Sequence, residues 1–125
     1  MELPAKITIP VDYGYAFDFL SIYEVKLNKV GTPVNAKNFT EANHHIKEQV
    51  GERKFFEVLD SPEYQELVDA NRELFDLVDA AKTDSVKASQ VDAGVYKRFL
   101  CKRKLQERFF PEAEKVEQKI GYDNK

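Results

Sequence analysis

The order of charges along the second half of the chain is the feature that most restricts the fold. Between residues 57 and 84 the charged side chains are acidic apart from Arg72 and Lys82, and between residues 97 and 108 they are basic apart from Glu107. The acidic set is Glu57, Asp60, Glu63, Glu66, Asp69, Glu73, Asp76, Asp79 and Asp84, and the basic set is Lys97, Arg98, Lys102, Arg103, Lys104 and Arg108.

The acidic segment is predicted to be a helix with a well-defined start. Ser61 can cap it, Pro62 suits its first position, and Glu63 faces the positive end of the helix dipole. Apolar residues then recur at helical spacing for about five turns, and residues 83–85 end the helix. Its inward face is Tyr64, Leu67, Val68, Asn71, Leu74, Phe75, Val78 and Ala81.

The basic segment is predicted to be a second long helix over residues 87–110, ended by Pro111. Its inward positions are Val91, Val95, Phe99, Leu105 and Phe109. Because a short loop joins the two helices, we expect them to fold back as an antiparallel pair. An exposed ion pair contributes only about 0.2–1 kcal/mol, so apolar burial stabilises the pair while charge selects partner and register.

The first half of the chain predicts an extended segment and further helices. Residues 1–14 are predicted to be extended, with a turn at Gly14, followed by a broadly apolar and therefore central helix over residues 15–30. After a linker at residues 34–38, a helix capped by Asn38 or Thr40 continues towards residue 60. Gly51 leaves two alternatives, a continuous helix or a bend, and we favour a bend.

Length and composition indicate one all-α domain over residues 1–125, a small antiparallel bundle of about four helices. A short last helix is predicted over residues 112–120, ending at Gly121, with a frayed tail over residues 122–125. The net charge of −3 disfavours nucleic acid as a partner. The single cysteine, and the lack of a signal-peptide pattern or long apolar run, favour a cytoplasmic protein that does not enter a membrane.

Two acidic pairs raise the hypothesis of a metal-dependent enzyme. Glu63, Glu66, Glu73 and Asp76 resemble the magnesium-binding carboxylates of all-α nucleotide pyrophosphohydrolases. In that family the pairs lie on two helices, whereas here they share one. We therefore favour a solvated acidic face, no cofactor and no enzymatic activity, with a magnesium-dependent hydrolase as the alternative.

Other candidate residues have plain interpretations beside the functional ones. Glu41, His45 and Glu48 could form a weak surface metal site, although a solvated helix face is favoured. Cys101 has basic neighbours that would lower its pKa if it were exposed, but it is more simply a small packing residue. The basic helix could bind an anion or a glycan, although neutralising its acidic neighbour explains the same charges.

Asn71 is the one polar residue on an inward face, where its amide needs hydrogen-bond partners. A buried asparagine can fix helix register, which is the interpretation we favour. The alternative is a polar pocket lined by Asn71, Tyr96 and Arg103.

The segment from Ile7 to Leu27 resembles the start of a family of small bacterial and phage proteins of unknown function, which opens Val-Pro-Val-Ser-Tyr-Gly-Glu and continues into Asp-Lys-Leu-Thr-Ile-Leu-Glu-Ile-Lys. The matching positions are Pro10, Val11, Tyr13, Gly14, Asp18, Ile22, Glu24 and Lys26, followed by Asn71, Leu74, Asp79, Val95, Tyr96, Arg103, Glu117, Lys119 and Tyr122. The departures are Asp12 for Ser, Tyr15 for Glu, Phe75 for Trp, and Leu100-Cys101 near the family's Asn-Asp.

This resemblance implies no known activity, and at most a helper role in polysaccharide synthesis with a small anionic or glycan ligand. It also implies a candidate ligand site if its polar residues converge, namely Tyr13, Asn71, Tyr96, Arg103 and Tyr122. The apolar surface of the first helix exceeds what a four-helix chain can cover. We therefore expect a non-enzymatic binding or scaffolding module that self-associates, as a homodimer.

Overall fold

The computed structural model describes residues 3, 5–83 and 85–115, and these form an all-α bundle. Five helices follow one another along the chain: α1 (Tyr13–Lys29), α2 (Pro33–Val50), α3 (Glu52–Leu59), α4 (Pro62–Ala81) and α5 (Ala88–Phe109). No helix of the described ranges is both long enough and apolar enough to cross a membrane.

The predicted pairing of the acidic and basic helices is confirmed, because α4 and α5 make the most extensive helix–helix contact. Three ion pairs join them in antiparallel order, from Glu63–Arg108 at one end through Glu66–Lys104 (3.1 Å) to Glu73–Lys97 (2.9 Å). The predicted start of α4 is also confirmed, with the Ser61 hydroxyl accepting a hydrogen bond from the Tyr64 amide at 3.1 Å.

Helix α1 is central, as predicted, and packs against α2, α4 and α5. Its fully buried Phe17 and Leu20 sit in a core drawn from every helix except α2. The remaining buried members of this core are Val25, Phe55, Val58, Tyr64, Leu67, Val68, Leu105 and Phe109. Burying each large apolar side chain contributes about 1.5–3 kcal/mol, which makes this core the main source of stability.

The start of α1 differs from the prediction of an extended segment as far as residue 14. The helix begins at Tyr13, where Asp12 caps it by accepting a hydrogen bond from the Tyr15 amide at 2.7 Å. Gly14 therefore lies in the first helical turn and not in a loop. A Cβ there would meet the Lys102 carbonyl oxygen at 3.0 Å, so the glycine permits close approach of α1 and α5.

Helix α2 begins earlier than predicted, so the predicted linker at residues 34–38 is wrong. Thr32 caps the helix by accepting from the Asn35 amide at 3.2 Å, and Pro33 takes the first helical position. The preferred bend at Gly51 is confirmed. Gly51 has φ 95°, separates α2 from α3, and so makes the predicted helix 39–60 discontinuous.

The described residues before the Asp12 cap lie on the surface. Lys6 pairs with Glu41 of α2 at 2.6 Å, while Ile7 and Ile9 are 81% and 65% exposed. After α5, residues 111–115 are not helical, so the predicted helix over residues 112–120 is wrong at its start. The rest of that helix, Gly121 and the tail 122–125 lie outside the described residues.

Candidate functional site

A buried polar cluster joins α1, α4 and α5 at the centre of the bundle. Its members are Asp18 and Ser21 of α1, Asn71 of α4 and Arg98 of α5. The Asn71 Nδ2 atom donates to Asp18 Oδ1 at 2.8 Å and to Ser21 Oγ at 2.7 Å. Asp18 and Asn71 are each 5% exposed, so these hydrogen bonds form in a poorly hydrated interior.

Neighbouring groups fix the orientation of the Asn71 amide. An ionised Asp18 carboxylate can only accept, so the Asn71 nitrogen must face it. The Ser21 hydroxyl donates to the Asp18 carbonyl oxygen at 2.7 Å, so it too accepts from Asn71. Both amide hydrogens of Asn71 are thereby used, and its Oδ1 atom is left as an acceptor.

Arg98 completes the cluster without a tight contact. Its Nε atom lies 3.8 Å from Asp18 Oδ2, which is an ion pair but too long for a hydrogen bond. This Nε atom is shielded from solvent and has no hydrogen-bond partner among the described residues. The Arg98 side chain is 22% exposed, so the buried charge of Asp18 is balanced by a guanidinium that still reaches the surface.

A groove of about 280 Å³ opens above this cluster between α1, α4 and α5. Asn71 and Arg98 line its polar part, and the aliphatic and aromatic side chains Ile22, Val25, Leu74, Phe75 and Val78 line the rest, with Asp79 and Lys82 completing it. Asp79 and Lys82 are exposed and pair with each other at 3.4 Å. The groove therefore combines apolar walls with a guanidinium and an amide, the composition typical of a small-molecule site.

Of the residues predicted to line a polar pocket, Asn71 lines this groove. The α5 residue beside it is Arg98, whereas Tyr96 and Arg103 had been predicted. Tyr96 stacks on Phe99 with ring centres 6.3 Å apart, and the Arg103 guanidinium lies 5.1 Å from the same ring. Tyr13 stacks on Phe110 at 4.2 Å. Tyr122 lies outside the described residues.

The carboxylates proposed for magnesium each pair with a different cation. Glu63, Glu66 and Glu73 pair with α5, and Asp76 pairs with Lys29 of α1 at 2.7 Å. Burial alone would raise the pKa of Glu63, but hydrogen bonds from its own backbone amide and from Arg108 hold that pKa below its ordinary value. Within residues 3, 5–83 and 85–115, no group of three or more His, Cys, Asp or Glu side chains is placed to hold a metal.

The other surface candidates are separate features. Of the three residues suggested for a weak surface metal site, Glu41 pairs with Lys6, and Glu48 lies 3.5 Å from the neighbouring His44 on the exposed side of α2. Cys101 is half-buried against the core, and burial raises the pKa of its thiol, as expected for a packing residue.

Ser21 was not predicted to matter, and Asp18 entered only as a position that matches the family pattern, although the sequence holds a signal for both. Gly14, Asp18, Ser21 and Val25 follow heptad-like spacing and form one seam along an otherwise apolar helix. All four are buried. A stripe of small and polar residues on an apolar helix indicates a close helix contact, which here is the contact with α4 and α5.

A second surface feature is a run of exposed large apolar residues near the N-terminus. Its members, named here the N-terminal apolar surface, are Ile7, Ile9, Val11, Tyr15 and Phe19. Tyr15 and Phe19 lie one helical turn apart on α1, and the Phe19 ring meets Tyr23 at 4.7 Å. The predicted excess of apolar surface on the first helix thus corresponds to side chains more than two-fifths exposed.

Comparisons with family models, with curated proteins and with solved structures each gave no match. The resemblance described above therefore stays a prediction. Three of the residues on which it depends, Gly14, Asp18 and Asn71, are buried where α1 meets α4 and α5. In this chain those positions serve helix packing.

Proposed function

We propose that this protein is a non-enzymatic binding and scaffolding module that self-associates through its N-terminal apolar surface. The observation that supports this proposal is the exposure of that surface. Apolar side chains scattered singly over a protein need no explanation. Five within thirteen consecutive residues (7–19), on one segment and the helix that it enters, form a concentration that water disfavours.

A second copy of the chain is the partner that this surface fits best. Every copy carries the same surface, and a two-fold axis lets identical apolar patches cover each other. The rings of Tyr15 and Phe19 supply the large rigid contacts typical of interface centres. The exposed Lys6–Glu41 ion pair brings the start of the extended segment beside α2.

The other two functional hypotheses have weaker support. A magnesium-dependent hydrolase would require Glu63, Glu66, Glu73 and Asp76 to leave four separate cationic partners. Anion or glycan binding along α5 would compete with the ion pairs that Lys97, Lys104 and Arg108 make with α4.

Sedimentation velocity across the micromolar range tests the proposal. We expect the fraction of dimer to rise with protein concentration. Phe19→Ser and Ile9→Ser should each shift the equilibrium towards monomer, since both remove apolar contact while changing an exposed position. Val34→Ser is the matched control, because Val34 is also exposed (66%) but lies on α2 outside this surface.

A protein that remains monomeric throughout the micromolar range would overturn the proposal. A dimer that Val34→Ser weakens as much as Phe19→Ser would place the interface elsewhere. Circular dichroism of each variant should show unchanged helix content, because none of the three side chains is buried.

A further inference from the structure

We propose that the groove between α1, α4 and α5 binds a small amphiphilic carboxylate, with its carboxylate on the Arg98 guanidinium and its hydrocarbon chain along the apolar wall. This inference is independent of the proposed self-association, since no groove residue belongs to the N-terminal apolar surface.

The unused hydrogen-bonding capacity of Arg98 is the first argument. A guanidinium has five N–H donors in a planar fork that matches a carboxylate. Arg98 makes one long ion pair, from its Nε atom to Asp18 at 3.8 Å, and this buried Nε atom has no hydrogen-bond partner among the described residues. Arg98 lines the groove and its side chain is 22% exposed, so a carboxylate that enters the groove can reach the guanidinium.

The rigidity of the polar floor is the second argument. Asp18 faces Arg98 from below and is itself held by Asn71, which also bonds Ser21. Asp18 and Asn71 are fixed before a ligand arrives, so only the Arg98 side chain has to become ordered on binding. The Asp18 carboxylate is only 5% exposed and does not line the groove, so the member of this pair that a ligand contacts is the Arg98 guanidinium.

The composition of the walls is the third argument, and it selects an amphiphile over a simple anion. Five apolar side chains line the groove beside Arg98: Ile22, Val25, Leu74, Phe75 and Val78. A volume of about 280 Å³ is just below the range of about 300–1,000 Å³ usual for ligand sites, which favours a short chain. Asp79 and Lys82 neutralise each other at 3.4 Å and give the chain no competing charge.

Titration of the ¹⁵N-labelled protein with sodium octanoate, octan-1-ol and sodium acetate tests the inference. Octanoate should bind saturably and shift the amide signals of Leu74, Phe75 and Val78. Octan-1-ol lacks the charge and should bind about ten-fold more weakly or worse. Acetate lacks the chain and should show no saturation at concentrations up to about 10 mM.

Two variants and one control locate the site. Arg98→Lys keeps a positive charge near Asp18 but loses the planar fork, so octanoate affinity should fall about ten-fold. Val78→Asp puts a negative charge on the wall at a position that is 43% exposed, so the fold should tolerate it while octanoate binding is lost. Arg72→Lys is the control, because Arg72 pairs with Asp69 and does not line the groove.

Equal affinities for octanoate and octan-1-ol would overturn the carboxylate assignment. Loss of octanoate binding in Arg72→Lys, or full binding in Val78→Asp, would move the ligand out of the groove. No saturable binding of octanoate up to about 10 mM would overturn the whole inference. Octanoate binding is measured by the NMR titration and self-association by sedimentation velocity, so one proposal can fail without the other.

Discussion

Two sets of charged residues connect the helices of this protein, and they differ in how much water surrounds them. Two of the α4–α5 ion pairs, Glu66–Lys104 and Glu73–Lys97, are exposed, with side chains about half accessible. The Asp18–Asn71–Arg98 cluster lies in the interior, with Asp18 only 5% exposed. The same kinds of side chain therefore contribute to the fold in two different ways.

The difference shows that the burial of a charged side chain determines how much it contributes to stability. In water an exposed pair gains little, because solvent screens it and the side chains lose freedom. In the interior each member depends on the others, because a polar group that loses its partner keeps the full cost of desolvation. The exposed pairs thus select the register of α4 and α5, whereas the buried cluster determines the position of α1 relative to these two helices.

The largest effect should come from opening the buried cluster. Asp18→Ala removes the carboxylate that balances Arg98 and that accepts from Asn71. We expect a loss of about 3–5 kcal/mol in the free energy of unfolding, measured by urea denaturation. Asp76→Ala is the control, since Asp76 pairs with Lys29 on the surface. Similar losses in the two variants would remove the distinction drawn here.

A smaller loss should follow from adding one carbon where α1 meets α5. In Gly14→Ala the new Cβ would meet Gln106 Oε1 and the Lys102 carbonyl oxygen, both at 3.0 Å. Overpacking of this kind costs about 1–3 kcal/mol. Gly31→Ala is a matched control, because its Cβ would meet only the Leu27 carbonyl oxygen at 3.6 Å. Thermal unfolding of both variants compares the two sites, and an unchanged Gly14→Ala would show that the contact is loose.

The half-buried pair Glu24–Tyr64 gives an intermediate case with a defined pH dependence. Burial raises the pKa of Glu24 above its ordinary value of 4.5, and the hydrogen bond from Tyr64 (3.4 Å) only partly offsets this. Folding therefore favours the protonated form. The stabilisation that comes from protonating Glu24 is fully present below pH 4.5. It is lost as the pH rises through the raised pKa of Glu24 in the folded state.

Glu24→Gln should remove the loss of folding stability that accompanies ionisation of Glu24, because glutamine keeps an oxygen acceptor for Tyr64 without a charge. We expect urea midpoints that are higher than those of the unmodified chain at pH 7 and nearer to equal at pH 4. Glu48→Gln on exposed α2 should change neither value. If Glu24→Gln were less stable at pH 7, the charged carboxylate would have to be favourable in the folded state.

The smallest effect should come from the exposed pairs. Glu73→Gln removes the partner of Lys97, and its cost should lie within the range of about 0.2–1 kcal/mol found for exposed pairs. Repeating the urea titration in about 1 M NaCl should abolish the difference, because the salt screens both charges. A large effect that persists in salt would mean that this pair behaves like the buried cluster.

The parts of the fold that depend on neighbouring residues were predictable from the sequence. Ser61 and Pro62 mark the start of α4 through groups within three residues of each other. Gly51 marks the break between α2 and α3 because it alone adopts a positive φ among the described glycines. Residues 34–38 were wrongly assigned to a linker because Thr32 and Pro33, read as the end of one helix, also start the next.

The candidate site was only partly predictable. Asn71 stood out because it is a polar residue on an apolar face. Asp18 entered only as a position that matches the family pattern and Arg98 only as a member of the basic set, because their pairing joins positions 80 residues apart. Gly14 was assigned to a turn because its packing against Gln106 is a contact across 92 residues.

The sequence by itself determined where α4 starts, where α2 and α3 separate, and that α4 pairs with α5, because capping, glycine conformation and the sign of charge act over short distances or over whole faces. Only the tertiary structure decided that Asp18, Asn71 and Arg98 meet, and that a groove opens above them. The physical reason is that packing chooses which side chains share one small volume, and no local pattern carries that choice.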